Sequence, residues 1–441
     1  MSSKIIINKK ISSFKKKIYV SGDKSISIRC ILLASQAIGK SKIFNLLESE
    51  DVMNALYCIK KFGINYKKHK NYYEISGLGL RGYNTNKPIV INAGNSGTLA
   101  RLIMGLLVDC KDKIIIVGDS SLSKRDFSRV ANPLRLFGAN IALKNNKMPV
   151  TIQGSNFLRP INYQENLGSA QCKSAVMLAA LKTPGITKIK ARKSRDHTEL
   201  LYKSLKIPIK LKSINNFDYI EIKGITNFNN FIYKVPGDIS SCAFFLVLTL
   251  LSNKSAIIIK DININKSRSG VIRILNKMNA KILTINKRLY KGETISDIII
   301  KSVNSLRAIK CPKNLNTSAI DEFLIIFLAA AKAKGVSTFK NLGELNKKES
   351  PRLDIGMNFL RKIGIKVERK KNDIKIYGNP DIKLKGKFTI KNFKKDHRVF
   401  MMSCIAALTL GGSWRIKDKD SINSSFPQFL KILKKLGAKI T

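Results

Sequence analysis

The sequence predicts an α/β protein of two similar halves, each built from three copies of one unit, and three observations carry that prediction. A short motif recurs six times: Phe62-Gly63-Ile64-Asn65-Tyr66, Phe137-Gly138-Ala139-Asn140-Ile141, Met278-Asn279-Ala280-Lys281-Ile282, Ile363-Gly364-Ile365-Lys366-Val367, Leu436-Gly437-Ala438-Lys439-Ile440 and the degenerate Leu205-Lys206-Ile207-Pro208-Ile209. Their first residues, 62, 137, 205, 278, 363 and 436, lie 75, 68, 73, 85 and 73 positions apart, so six units of similar size account for the chain. A second similarity sets the higher order: Val20-Ser21-Gly22-Asp23-Lys24-Ser25 returns 215 residues later as Val235-Pro236-Gly237-Asp238-Ile239-Ser240. Finally, 441 residues at 44% hydrophobic are enough for large cores in more than one domain.

Each motif follows an amphipathic run, such as Val52 to Lys61 or Phe429 to Lys435, and most place Gly or Asn where a helix would end in the left-handed conformation. A strand then begins. Several copies continue into a second β-rich run that ends in Gly: Tyr73 to Gly77, Val150 to Gly154 and Asp373 to Gly378. The unit therefore ends as helix, strand, turn, strand. The expected domains are residues 22–234 and residues 1–21 with 235–441, each with sheets covering a helical core and with an active-site cleft between them. The Gly of each V-x-G-D sequence suits a crossing strand that turns sharply, which puts hinges near 20–23 and 235–238.

The apolar stretches Cys242 to Leu251 and Phe323 to Ala331 fall short of the roughly 20 residues that span a bilayer. The run Ile5 to Ile7 is too short for a signal-peptide core, so a cytoplasmic protein is expected. Seven scattered cysteines form no C-x-x-C pair, and with three histidines there is no metal-ligand pattern; reduced, mostly buried thiols and no metal are expected. The formal charge of +52 would by itself suggest a nucleic-acid partner. The basic residues are mostly Lys, are spread evenly and accompany an excess of Ile and Asn, so they read as solvated surface whose field attracts small anions. No nucleic acid, no membrane and a monomer are expected.

Several helix starts carry polar groups that a packed core does not use. Asp23 can cap a helix running through Leu33, leaving Ser25 and Arg29 four apart on one face with Lys24 at the mouth. Small residues in Ala93-Gly94-Asn95-Ser96-Gly97-Thr98, before an apolar run to Leu107, let backbone N–H groups approach an anion; Gly168-Ser169-Ala170-Gln171 repeats the arrangement. Ser350-Pro351 is an N-cap and first-turn pair that puts Glu349 just before a helix and Arg352 inside its first turn, and Asp396-His397-Arg398 precedes another apolar run. Capping alone explains any one of these. Together, several positive helix ends beside Lys24, Arg29, Arg352 and Arg398 would hold phosphates and carboxylates, and an acid among them, Asp321 or Glu349, stays ionised.

Taken in order, G-D-K-S-x-S-x-R, G-N-S-G-T, S-A-Q, K-E-S-x-R-L and D-H-R resemble 5-enolpyruvylshikimate-3-phosphate synthases, with Thr183-Pro184-Gly185 and Ser425-Phe426-Pro427 also fitting, over Ile5 to the C-terminus. The resemblance implies a fold of two domains, each of three β-α-β-α-β-β units (an inside-out α/β barrel, the enolpyruvyl transferase fold). It implies transfer of the enolpyruvyl group of phosphoenolpyruvate to the 5-hydroxyl of shikimate 3-phosphate, in the shikimate pathway of aromatic amino-acid biosynthesis, with no cofactor. By motif, Lys24, Ser25, Arg29, Ser169, Ala170, Gln171, Arg195, Asp321 and Lys348 would bind shikimate 3-phosphate. Lys24, Gly97, Thr98, Arg125, Gln171, Arg352 and Arg398 would bind phosphoenolpyruvate. Asp321, assisted by Lys24, would take the 5-hydroxyl proton, and Glu349 would protonate the methylene carbon.

Against that pattern Ser21 and Asp126 stand in place of Pro, Asn346 in place of Arg, and Pro351 in place of Asp. Ser424 stands where some members have a Lys, and is left out of the expected site. Two alternatives share part of the signal. UDP-N-acetylglucosamine enolpyruvyl transferase has the same fold and donor but a reactive Cys, where Gly118 to Arg125 has Ser and no Cys. An RNA-binding or RNA 3′-phosphate cyclase-like protein rests on charge alone.

Overall fold

The computed structural model describes residues 3–85 and 88–441, and the chain divides into two compact units. The first comprises Gly22–Val235 together with Lys291–Glu293; the second comprises the described residues up to Ser21, Pro236–Tyr290 and Thr294–Thr441.

In the first unit the helices are α1 (Lys24–Gln36), α2 (Glu50–Lys61), α3 (Gly97–Leu106), α4 (Ser128–Leu136), α5 (Ala170–Lys182) and α6 (His197–Ser204). Three sheets of four strands accompany them, in hydrogen-bonded order Ile232–Lys234, Ile38–Phe44, Tyr72–Leu78, Asn65–Lys68; then Ile89–Asn92, Ile114–Val117, Lys147–Gln153, Asn140–Lys144; then Asn162–Glu165, Ile186–Arg192, Phe217–Lys223, Ile209–Ile214. The first pair in each sheet is parallel and the others antiparallel. A parallel pair needs a crossover, which α3 and α5 supply, whereas adjacent antiparallel strands need only a turn. The first sheet borrows its parallel strand, Ile232–Lys234, from the far end of the unit.

The second unit has α7 (Ile239–Leu251), α8 (Gly270–Lys277), α9 (Asn316–Ala319), α10 (Phe323–Ala331), α11 (Arg352–Lys362), α12 (His397–Leu410) and α13 (Phe429–Lys435). Two of its sheets keep the four-stranded pattern, one of them completed by Lys15–Tyr19 lying parallel to Ala256–Asn263. The last departs from the expected unit: it has three strands, Leu384–Ile390, Gly411–Lys417 and Lys4–Ile7. Lys4–Ile7 takes the antiparallel place beside Gly411–Lys417, and Thr441 exchanges both backbone hydrogen bonds with Ile6. A repeat pattern read along the chain does not show strands contributed from a distant segment.

Three helices are central in each unit, α1, α3 and α5 in the first and α7, α10 and α12 in the second. In α1 every residue from Ile26 to Gln36 is buried, and α10 and α12 are buried along their whole lengths. Helices apolar on all sides have no face to offer water. The strands alternate instead, as Lys147–Gln153 does between exposed and buried positions, so each sheet turns one face inward and one to solvent. Among the described residues no single helix is long and apolar enough to cross a membrane. All seven cysteines are buried and unpaired, and burial pushes the Cys58 thiol up to about 12.

The recurring motif has a backbone cause. Gly63, Gly138, Lys206, Asn279, Gly364 and Gly437, the second residue of each copy, all have positive φ and end their helices in the left-handed region. The Gly that closes the second strand has a different cause, close approach. A Cβ on Gly77 would lie 2.2 Å from the carbonyl oxygen of Ala34 and 2.3 Å from that of Ala37; on Gly378 it would lie 2.0 Å from that of Ala333. Gly154 and Gly224 meet backbone in the same way. These strands are pressed against the backbone at the C-terminal end of each core helix, and only Gly fits.

Gly378→Ala should therefore destabilise by about 3 kcal/mol or more, because rigid backbone must move. Gly364→Ala meets nothing within 4 Å and carries only the penalty of φ +81°, on the order of 1–2 kcal/mol. Urea denaturation midpoints of the two variants compare these terms; a smaller loss for Gly378→Ala would contradict the close-approach account.

Candidate active site

In the first unit, helix starts position the polar groups. Asp23 caps α1, accepting from the Ile26 N–H at 3.0 Å, and so places Lys24 and Ser25 in its first turn. Lys24 Nζ is 2.8 Å from Asp51 in α2, a partner the sequence reading did not find. Arg29 is buried. Its guanidinium donates to Thr198 Oγ1 at 2.8 Å, Ser174 Oγ at 2.9 Å and the Ser25 carbonyl at 3.0 Å, so it ties α1 to α5 and α6.

Ser96 caps α3 and Ser169 caps α5, accepting from Leu99 N–H and Cys172 N–H. Glu165 shapes the approach to α5 by accepting from the N–H groups of Leu167 and Gly168, the latter at φ +71°. The two helix starts meet: Gln171 Nε2 donates to Thr98 Oγ1, and Gln171 Oε1 accepts from Arg101, each at 3.0 Å. Arg125 donates to Asn95 Oδ1 at 2.5 Å. A Cβ on Gly97 would stand 2.7 Å from Arg101 Nη1 and 3.0 Å from Arg125 Nη1, so the absent side chain makes room for two guanidinium groups. Burial, with Arg125 nearby, pushes Arg101 down to about 10. Gly97, Thr98, Arg125 and Gln171 are thus brought together, joined by Arg101, which lies one turn beyond Gly97 inside an apolar helix and carried no motif. Arg195 is half-buried in the turn before α6.

In the second unit Arg352 is the first residue of α11, and its side chain is 1% exposed. Its Nε and Nη2 meet Asp396 at 2.9 and 3.4 Å, its Nη1 meets Asp321 at 3.2 Å, and its Nη2 meets Glu349 at 2.5 Å. Lys348 Nζ lies 3.4 Å from the same Asp321 oxygen that Arg352 touches. Burial alone would lower Arg352; the carboxylates, Asp396 foremost, outweigh it and hold the guanidinium above its ordinary value. Burial pushes the Asp396 carboxyl up, but Arg352, with His397, keeps it below the usual carboxylate range.

Asp396 also caps α12 through the Arg398 N–H and accepts from Ser350 Oγ at 2.7 Å, so one buried carboxylate fixes the starts of α11 and α12. The sequence reading saw it only as part of a motif. Arg398 Nη1 is 3.8 Å from buried Glu322, which also receives the Ser240 hydroxyl. Asn346, where the family pattern has Arg, is a cap: its Oδ1 accepts from the Leu353 and Asp354 N–H groups at the start of α11. Pro351 leaves Arg352 in its three-carboxylate setting, and Asp126 accepts from the backbone and hydroxyl of Ser128. Ser424 shares a hydrogen bond with His397 Nδ1 at 3.3 Å. Among the described residues no group of three or more His, Cys, Asp or Glu side chains is placed to hold a metal ion.

Helical cores under three sheets, with helix starts carrying arginines and caps, define an enolpyruvyl transferase. The enolpyruvyl transferase NikO from Streptomyces tendae shares the fold at a TM-score of 0.77 and 12% identity, over 100% of this chain and 98% of that one. The family model for EPSP synthase (3-phosphoshikimate 1-carboxyvinyltransferase) matches residues 8–433. The chain is 39% identical over 440 residues to the 3-phosphoshikimate 1-carboxyvinyltransferase of Ruthia magnifica, covering 99% of each, and 36% identical over 438 residues to that of Zymomonas mobilis, covering 98% of this chain and 96% of the relative. An EPSP synthase structure from Acinetobacter baumannii superposes with a TM-score of 0.86 at 32% identity, over 100% of this chain and 99% of that one. This chain belongs to the EPSP synthase family. The match does not favour the UDP-N-acetylglucosamine and RNA-directed alternatives.

Asp396→Asn removes one of three anions around a buried cation, and should destabilise by about 3 kcal/mol at neutral pH. The sign follows from the lowered carboxyl: its stabilisation is complete above the ordinary value near pH 4 and is lost as pH falls through the lower folded value. Denaturation followed from pH 7 to 2 should show a shallower acid loss in the variant; parallel curves would contradict the pairing.

Proposed function

We propose that the groups gathered at the helix starts of both units carry out one reaction, that of the family: the 5-hydroxyl of shikimate 3-phosphate adds to C2 of phosphoenolpyruvate, and phosphate then leaves. The observation that carries the assignment of roles is the Arg352 cluster, where two acids, Asp321 and Glu349, share one buried guanidinium.

Addition forms a C–O bond at C2 while the hydroxyl proton leaves and a proton reaches the methylene carbon, giving a tetrahedral phospholactoyl intermediate. Elimination removes a proton from the new methyl group and expels phosphate. Asp321, kept anionic by Lys348 and Arg352, receives the hydroxyl proton with help from Lys24. Glu349 is paired with Arg352, an arrangement that favours its anion over its acid. The carboxylate or phosphate of phosphoenolpyruvate competes for the same guanidinium, and loss of that partner raises the Glu349 carboxyl toward protonation. Donor binding thereby prepares the group that protonates the donor.

Lys24, Gly97, Thr98, Arg125, Gln171, Arg352 and Arg398 are assigned to phosphoenolpyruvate. Lys24, Ser25, Ser169, Ala170, Gln171, Arg195, Asp321 and Lys348 are assigned to shikimate 3-phosphate. Arg29, which donates to Thr198 and Ser174, is likewise assigned to shikimate 3-phosphate. Helix N-termini and fixed guanidinium groups suit two polyanions. Seven unpaired thiols and small phosphorylated substrates favour action in a reducing cytoplasm.

Purified protein given both substrates should release phosphate only when shikimate 3-phosphate is present, and not with UDP-N-acetylglucosamine as acceptor; acceptor-independent release would sink the reading. Glu349→Gln and Asp321→Ala should each lower turnover at least about 10²-fold with the fold intact by circular dichroism. Near-normal turnover removes that residue from the proton transfers.

A further inference from the structure

The first turn of α6 is built in a way that burial alone does not explain. His197, Thr198 and Glu199 are consecutive, polar and 0–1% exposed, whereas an amphipathic helix buries residues three and four apart. Between them they reach α1, α5 and the strand that begins at Glu293. His197 Nδ1 is 2.6 Å from Glu293 Oε1; Thr198 Oγ1 accepts from Arg29 in α1 and shares a hydrogen bond with Ser174 Oγ in α5 at 2.7 Å; Glu199 Oε1 is 2.6 Å from Lys173 Nζ in α5.

Lys173 and Glu199 are the unusual members, with side chains 0% and 1% exposed. Apart from each other, their charged atoms have no hydrogen-bond partner among the described residues. Removing two charges from water is expensive, and apolar side chains of similar size commonly do as well or better for stability, so the pair is a poor device for holding a core together. What it supplies is a contact of fixed length and direction between two helix starts. Lys173 lies two residues after Gln171, and Glu199 lies four after Arg195.

We propose that Lys173 and Glu199 are positioning residues for the phosphorylated acceptor. Their ion pair sets the rotation of α5 against α6, and so the spacing of the Ser169–Gln171 turn from Arg195. The proposal rests on the assignment of those residues to shikimate 3-phosphate. Neither side chain reaches substrate; both act through the backbone of the helix starts they join.

The test is steady-state kinetics of Lys173→Met/Glu199→Leu, with Arg195→Ala alongside. The double variant should melt at or above the wild-type temperature and show an acceptor KM raised at least about tenfold, with donor KM and saturated turnover within about threefold. The charge-swapped pair Lys173→Glu/Glu199→Lys should return the acceptor KM toward wild type. A merely structural pair would shift melting without splitting the two KM values, and an unchanged acceptor KM in the folded double variant overturns the proposal. Should that variant not fold, Glu199→Gln carries the same test: acceptor KM up at least about threefold supports the proposal, and no change overturns it. If Arg195→Ala itself leaves the acceptor KM unchanged, the acceptor-site assignment fails and the proposal with it. If Arg195→Ala raises that KM and the pair variants do not, the positioning proposal alone fails.

Discussion

The starts of α11 and α12 in the second unit are organised around one cation taken out of water, Arg352. A guanidinium buried at the start of α11 is tolerable only with anions around it, and Asp396, Asp321 and Glu349 provide them. The requirement propagates outward. Asp396 must be buried too, and it is kept ionised by Arg352 while capping α12 and holding Ser350, so the starts of α11 and α12 are fixed by one carboxylate. Asp321 is drawn to the same charge and brings Lys348 with it. Two acids to which opposite proton transfers are proposed thus share one cation.

The first unit solves a related problem differently. There Arg101 and Arg125 stand beside a helix start, converging where Gly97 has no side chain, and Gln171 spans Thr98 and Arg101. Burial, with Arg125 nearby, pushes Arg101 down to about 10. A phosphate or carboxylate bound as proposed would offset the two neighbouring guanidinium charges. In the second unit such an anion would compete with an internal acid for Arg352.

Much of the fold was legible because the features that repeat are backbone requirements. A left-handed residue ends six helices and a Gly closes strands that touch backbone, and such constraints leave sequence marks wherever they recur. Strand exchange leaves none, which is why Lys4–Ile7 beside Gly411–Lys417, or Ile232–Lys234 beside Ile38–Phe44, came only with the structure. In the site, residues sitting in short polar motifs before apolar runs, such as Lys24, Gln171, Glu349 and Arg352, stood out. Asp51, Arg101, Lys173 and Glu199 did not, because they lie inside helices whose pattern looks ordinary and gain their meaning from a partner far away in sequence. Asn346 is the reverse case: a departure from the family pattern that is explained as a cap.

The central claim is that the charge state of Glu349 is set by competition for Arg352. Isotope-edited infrared spectroscopy of the Glu349 carboxyl, assigned by difference from Glu349→Gln, tests it directly. The protein is compared alone and with phosphoenolpyruvate plus a shikimate 3-phosphate lacking the 5-hydroxyl, so that no turnover occurs. Competition predicts a carboxylate band in the free protein and a protonated carboxyl band when both ligands are bound; a carboxylate band unchanged by the ligands would contradict it.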